Sequence, residues 1–113
     1  MKDIAPELIR KYVNESLGLD IRIKKRTRDY IYARAIYNKL CRVFTGCNLS
    51  EISKEGSHKV DHAKVLHSIN YTFENMITYE PFFYNFYLQA FDYFDWNKII
   101  VTDVNLLDGG ISF

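Results

Sequence analysis

Only two cysteines occur among 113 residues, together with two prolines, five glycines and one tryptophan. Cys41 and Cys47 are too few for a disulfide-stapled scaffold and read as free thiols of a reducing compartment. No uninterrupted apolar run reaches the roughly 18 residues that cross a bilayer, so no membrane partner is expected. The opening stretch MKDIAPELIRKYVNES is charged throughout and lacks the apolar middle and cleavage site of a secretory signal. A cytoplasmic protein is the expectation. A Gly-x-x-x-x-Gly-Lys-Ser/Thr loop is missing too, and with it the usual phosphate cradle of an ATPase. No Ser-His-Asp or Cys-His pairing has a context that activates a nucleophile, and the carboxylates are dispersed as surface groups are, so no enzyme is expected. His58, His62 and His67 with the two cysteines superficially suggest zinc, but five residues separate Cys41 from Cys47 where finger cysteines are two to four apart. Neither a metal nor another cofactor is expected.

What is present fits one ordered globular domain: 48% apolar and 26% charged residues in a chain long enough to bury a core. The net charge of +1 conceals a division. Residues 1–70 hold 14 Lys and Arg against 8 Asp and Glu, whereas residues 71–113 hold 1 against 6. Because Lys and Arg on phosphates supply most sequence-independent affinity for DNA, the basic half is where nucleic acid would sit; an ordinary solvated surface is the alternative.

The stretch from Asn48 to Ile69, NLSEISKEGSHKVDHAKVLHSI, organises the chain as a helix-turn-helix. Asn48 caps the first short helix and Glu51, three residues on, completes a capping box, with Leu49 and Ile52 as its apolar contacts. Lys54-Glu55-Gly56-Ser57 is polar and rich in turn formers, which predicts the break there. The second helix restarts near Asp61, with Val65, Leu66, Ile69, Phe73 and Met76 on one buried face and Asp61, Lys64, Ser68 and Tyr71 largely off it.

Upstream, Pro6 suits the first turn of a helix that runs to about Leu17 and ends at Gly18, with Ile4, Leu8, Ile9, Tyr12 and Val13 facing a core. Leu19–Ile23 is a connector or single turn. It leads into the densest charge cluster, Lys24-Lys25-Arg26-Thr27-Arg28, ahead of a long helix for which Thr27 is the predicted N-cap and Thr45-Gly46 the exit. Tyr30, Ala33, Ile36, Tyr37, Leu40, Cys41 and Phe44 trace its apolar stripe, and Arg34, Asn38 and Arg42 lie at steps of four on a different, wet face. A basic loop entering a helix N-terminus suits phosphate or a minor groove.

Downstream, the second helix of the pair is predicted to reach about Thr78, with a new start at Pro81. Twelve of the eighteen aromatic residues fall between Tyr71 and Trp96, more than one small helix buries on a single face. Phe82, Phe83, Phe86, Tyr87, Ala90, Phe91 and Phe94 keep helical spacing, while Tyr84, Tyr93 and Trp96 widen the arc. Because this half is acidic, residues 79–96 suit self-association or a protein partner better than base stacking, with extra core packing as the alternative. Residues 99–113 carry a β-prone run and an Asp-Gly-Gly turn, compatible with an edge strand or a loose tail.

The run KKRTRDYIYARAIYNKLCRVFTGCNLSEIS followed by DHAKVLHSI resembles the C-terminal DNA-binding domain of the bacterial chromosomal replication initiator DnaA, over roughly residues 5 to 75. The resemblance rests on the cluster Lys24 to Arg28, on Ala33-Arg34, on Leu49-Ser50-Glu51-Ile52-Ser53 for the family's Leu-x-Glu-Ile-Gly, and on Asp61-His62-Ala63-Lys64-Val65 with His67. It implies an all-α helix-turn-helix bundle of the Trp-repressor and DnaA C-terminal type, of about five helices, to which this chain adds its aromatic C-terminal extension. It implies double-stranded DNA as the partner, with Arg26 in the minor groove and Asp61, His62, Ala63 and Lys64 reading the major groove. Lys24, Lys25, Thr27, Arg28, Arg34, Arg42, Leu49 and Ser50 take the implied phosphate contacts. The chain departs from the pattern in three ways. Ala63 and Lys64 replace two hydroxyl residues, Val60 replaces an arginine, and the turn is about one residue longer. A changed base preference follows, by about 1–3 kcal/mol per contact.

The expected organisation is residues 1–80 as the helix-turn-helix DNA-binding region and residues 81–113 as an acidic, aromatic helix and tail packed on the same domain. The expected function is sequence-specific duplex binding in replication initiation, or in regulation of replication or transcription, without ATPase activity. Such a protein would be associated with the nucleoid, and the compact stand-alone form would suit a phage or mobile element. The rival reading is an interaction module that docks a partner through its aromatic half and has lost DNA recognition.

Overall fold

The computed structural model describes residues 4–57 and 59–102, with residues 97–102 described by backbone alone. Helix α1 (Pro6–Leu17) starts on a proline at its first turn and ends where Gly18 turns left-handed at φ 68°, a conformation glycine adopts without steric cost. Ile4, Ile9 and Val13 are buried, but Leu8 points to solvent, since it lies about 100° round the helix from Ile9 and the core takes only the narrower stripe. A tight turn follows. The Asn14 side chain accepts from the Ile21 N–H (3.0 Å), and Asp20 accepts from the Arg22 N–H (3.0 Å).

Helix α2 (Arg28–Phe44) runs through the centre of the molecule and buries Ala33, Ile36, Tyr37, Leu40, Cys41 and Phe44 as its spacing predicts. Thr27 stands at the N-cap position with extended backbone but makes no side-chain cap hydrogen bond. Asn38, expected on a wet face, is buried, because the following helices close over that side of α2. Thr45 ends the helix and donates its hydroxyl to the Cys41 carbonyl (2.7 Å). Burial raises the Cys41 thiol well above its ordinary range, which keeps it inert.

Helix α3 (Leu49–Ser57) carries the capping box in full: the Asn48 side chain accepts from the Glu51 N–H (2.9 Å) and Glu51 accepts from the Asn48 N–H (3.0 Å). Asn48→Ala is expected to cost about 1 kcal/mol, read as a lowered urea midpoint at unchanged slope. Lys54–Ser57, predicted as the break, is instead the last turn of α3. Gly56 is there because the Tyr37 ring of α2 lies against it, and a Cβ would stand 2.7 Å from Tyr37 Cε2. The turn between the two helices falls after Ser57; His58 lies outside the described residues.

Helix α4 (His62–His67), a π-helical turn (Ser68–Thr72) and α5 (Phe73–Tyr79) form one unbroken rod. Val65, Ile69, Phe73 and Met76 are buried along it, whereas Leu66 is exposed, about 100° from Val65. A four-residue step overshoots a full α-helical turn by about 40°, and the wider π turn absorbs that excess, so residues spaced by four stay on the buried side. Helix α6 (Pro81–Thr102) then packs on α1, α2 and α5 through ring pairs: Tyr12–Phe94, Tyr32–Phe83, Phe44–Phe91 and Phe73–Tyr87 at 4.7–5.4 Å between centroids. Phe83, Tyr87, Ala90 and Phe94 are buried in the common core, but Phe82 is 68% exposed despite its helical spacing. Residues 99–102, read as strand or tail, continue this helix; residues 103–113 lie outside the described residues. Five helical rods and no strand make up the described residues, an all-α bundle as expected.

Candidate nucleic-acid interface

The segment between Ile21 and Thr27 leaves α1 as an arm with little regular structure of its own, and Arg34 holds it in place. Its Nε donates to the Ile21 carbonyl (2.9 Å), Nη1 to the Lys25 carbonyl (2.6 Å) and Nη2 to the Ile23 carbonyl. The guanidinium and the Lys25 ammonium both lie over the Tyr30 ring, at 5.6 and 5.4 Å. Burial draws the Arg34 guanidinium below its ordinary range; Tyr30 opposes this and Arg26 adds to it. Arg34, expected to hold a phosphate from a wet face, is turned inward and spends three donors on the arm.

Across from the arm stands the leading turn of α4. The Asp61 carboxylate caps it by accepting from the Lys64 N–H (3.0 Å), an interaction that aims His62, Ala63 and Lys64 outward. His62 Nε2 is hydrogen-bonded to Ser50 Oγ at the start of α3, which joins two predicted contact residues from the two helices. Ser53 locks the turn from below. Its hydroxyl donates to the Lys59 carbonyl and accepts from the Asp61 N–H (2.9 Å), while Ser57 donates to the Ser53 carbonyl (2.9 Å).

Arm and α4 enclose a cleft of about 370 Å³ lined by Lys24, Lys25, Arg26, Arg34, Asp61 and Lys64 among others. Arg22 and Lys59 also line it; neither was singled out from the sequence, although Lys59 sits two residues before Asp61 and its charge was the available signal. A second cleft of about 430 Å³ adjoins it and shares Arg34, Asp61 and Lys64, with Ala63 added. The cations of the arm and those of the helix tip therefore face one space with a single carboxylate in it. His62, Thr27, Arg28, Arg42, Leu49 and Ser50 do not line either cleft. Arg28 instead pairs with Glu80 (3.4 Å), and Arg42 is exposed in the last turn of α2, where a cation complements the helix dipole. No residue of α6 lines either cleft.

Fold and site together define a helical bundle in which a turn-linked helix pair and a basic arm flank one electropositive cleft. Two curated relatives are similar to this chain, both named chromosomal replication initiator protein DnaA. The protein of Treponema denticola is 32% identical over 79 residues, covering 70% of this chain and 16% of that protein. The protein of Pelobacter propionicus is 37% identical over 70 residues, covering 59% of this chain and 15% of that protein. The chain thus spans about a sixth of the length of either relative. No family model matches the chain, and no solved structure matches it.

Proposed function

We propose that the protein is a DnaA-related duplex DNA-binding domain that reads a specific sequence and acts in the initiation or regulation of replication, without ATPase activity of its own. The observation that carries this reading is the shared cleft: Arg26 of the arm and Lys64 of the α4 tip line the same space. Two cationic elements so placed can straddle one phosphate strand, the arm reaching the minor groove and the tip of α4 the adjacent major groove. Similarity to two replication initiators supports the same partner. Within this reading His62, Ala63 and Lys64 face bases, and Asp61 acts first as the cap that aims them. Arg26, Lys24 and Lys25 take the minor groove and its phosphates, joined by Lys59. Arg34 positions the arm. Ser50 keeps His62 in place, while Thr27, Arg28, Arg42 and Leu49 contribute at the margin of the footprint.

Selection from random duplexes tests it. The expected result is an enriched motif of a few base pairs that departs from the initiator's usual site where Ala63 and Lys64 stand. Binding to the selected duplex should weaken with salt, and Arg26→Ala should lower the log–log slope by about 1. A selection that enriches nothing would remove duplex recognition and leave the interaction-module reading in its place.

A further inference from the structure

On another side of α2, α1 and α6 leave an aromatic strip at the surface. Tyr12 of α1 stacks on Tyr93 (4.5 Å between centroids) and on Phe86 (6.1 Å). On α6, Phe82, Phe86, Tyr93 and Trp96 fall within about 80° of one another at about 100° per residue, along about 21 Å of helix. Leu8, one turn before Tyr12, is 56% exposed, and Tyr93 and Trp96 are about half exposed. A buried aromatic residue contributes to the core, but these rings leave much of their area in water, an arrangement common at protein interfaces.

The charge around the strip selects its occupant. On α6 the described charged residues beside the strip are Asp92 and Asp95, both exposed. On α1, Glu15 is exposed and Lys11 is paired with Glu7 at 3.4 Å, so the described charge left over is negative. A polyphosphate backbone is repelled by this sign. A second copy docked symmetrically would bring Asp92, Asp95 and Glu15 of both chains together, and the cation described beside them, Lys11, is already paired with Glu7. We propose that the strip binds an amphipathic helix of a protein partner, with apolar anchors at i, i+3 or i+4, and i+7 and with Lys or Arg on its flanks. About four helical turns fit the length from Phe82 to Trp96. Arginine on those flanks gains further from the exposed ring faces.

The proposal is independent of the DNA reading. Tyr32 and Phe44 of α2 meet α6, whereas Ile31, Arg34 and Asn38 of α2 line the clefts, so the two surfaces lie on different sides of that helix. Trp96 is the only tryptophan, and its emission reports directly on the strip. The test titrates the full chain with an 18-residue Leu-anchored, Arg-flanked helical peptide and with the same peptide carrying Glu in place of Arg. The expected result is a saturable blue shift with the cationic peptide and at least tenfold weaker binding of the acidic one. Phe82→Ser and Asp92→Lys, both at exposed positions, should each weaken the cationic peptide at least tenfold while leaving the helical circular dichroism unchanged. Arg26→Ala, at a position that lines the cleft, should leave the titration unaltered. No saturable shift, equal response to both peptides, or weakening by Arg26→Ala equal to that by Phe82→Ser would overturn the proposal. A blue shift on concentrating the chain alone, with a doubled hydrodynamic mass, would overturn it in favour of self-association.

Discussion

Gly56→Val is expected to destabilise the protein by about 3 kcal/mol and Gly56→Ala by about 1 kcal/mol, although alanine and valine both surpass glycine as intrinsic helix formers. In an exposed helix Gly→Ala gains up to about 1 kcal/mol. Here a new Cβ would meet Tyr37 Cε2 at 2.7 Å, Cδ2 at 3.2 Å and Cζ at 3.4 Å. The ring cannot swing aside. It is buried, and its hydroxyl donates to the Ile52 carbonyl at 2.8 Å, so both ends of the side chain are fixed. Overpacking of this kind costs about 1–3 kcal/mol, which exceeds the propensity gain for alanine and grows with the second branch of valine. Urea denaturation reads both variants. A midpoint for Gly56→Ala above that of the parent would mean that α2 and α3 do not approach as described, and the position of the α4 tip would have to be reconsidered with them.

Arg34→Lys is expected to lower affinity for the selected duplex about tenfold, nearly as much as Arg34→Ala. The reason is geometric. A lysine keeps the charge but cannot span three carbonyls on residues 21, 23 and 25, as the planar fork of the guanidinium does. Released from those bonds, the arm would have to be ordered again on binding, and fixing a single residue's backbone costs about 1–2 kcal/mol. A direct phosphate contact behaves differently: Arg→Lys would be mild, and Arg→Ala would reduce the salt slope by about 1. The pair of variants, measured at three or more salt concentrations, separates a clamp from a contact. Near-wild-type binding by Arg34→Lys would assign Arg34 to the duplex itself.

Much of the framework is visible in the sequence because the signals are local. Pro6, Gly18, the Asn48–Glu51 pair and Asp61 each act within one helical turn of themselves, and each sits at a helix boundary. The misreadings share the opposite property. Gly56 resembles a turn former until the Tyr37 ring of another helix is placed on it. Arg34 and Asn38 resemble solvated residues, yet one faces an arm delivered by a different segment and the other is buried beneath the second cleft, where later helices close over α2. Leu8, Leu66 and Phe82 match helical spacing, but spacing defines an arc and not how far around it the neighbours reach. Ser53 is the most instructive case. It stands where the related pattern has glycine, and its hydroxyl holds the turn that is about one residue longer than in that pattern.

Within the candidate site, the sequence marks five of the seven cations that line the first cleft, missing Arg22 and Lys59, and does not give their division of labour. Lys24, Lys25, Arg26 and Lys64 do share one cleft. Which of them are held and which are left to reach outward depends on hydrogen bonds between segments far apart in the chain, and nothing in a helical period encodes those.

Arg22, Lys24, Lys25, Arg26, Lys59 and Lys64 crowd one cleft with a single carboxylate, while Glu74, Asp92 and Asp95 are exposed on other helices. A body with its charges so unevenly placed has a permanent electric moment despite a nearly balanced total charge. Near any strongly negative polymer it experiences a torque as well as an attraction, and it turns its arm forward before touching. Encounters would then begin already oriented, and added salt would slow association more than a net charge of +1 suggests.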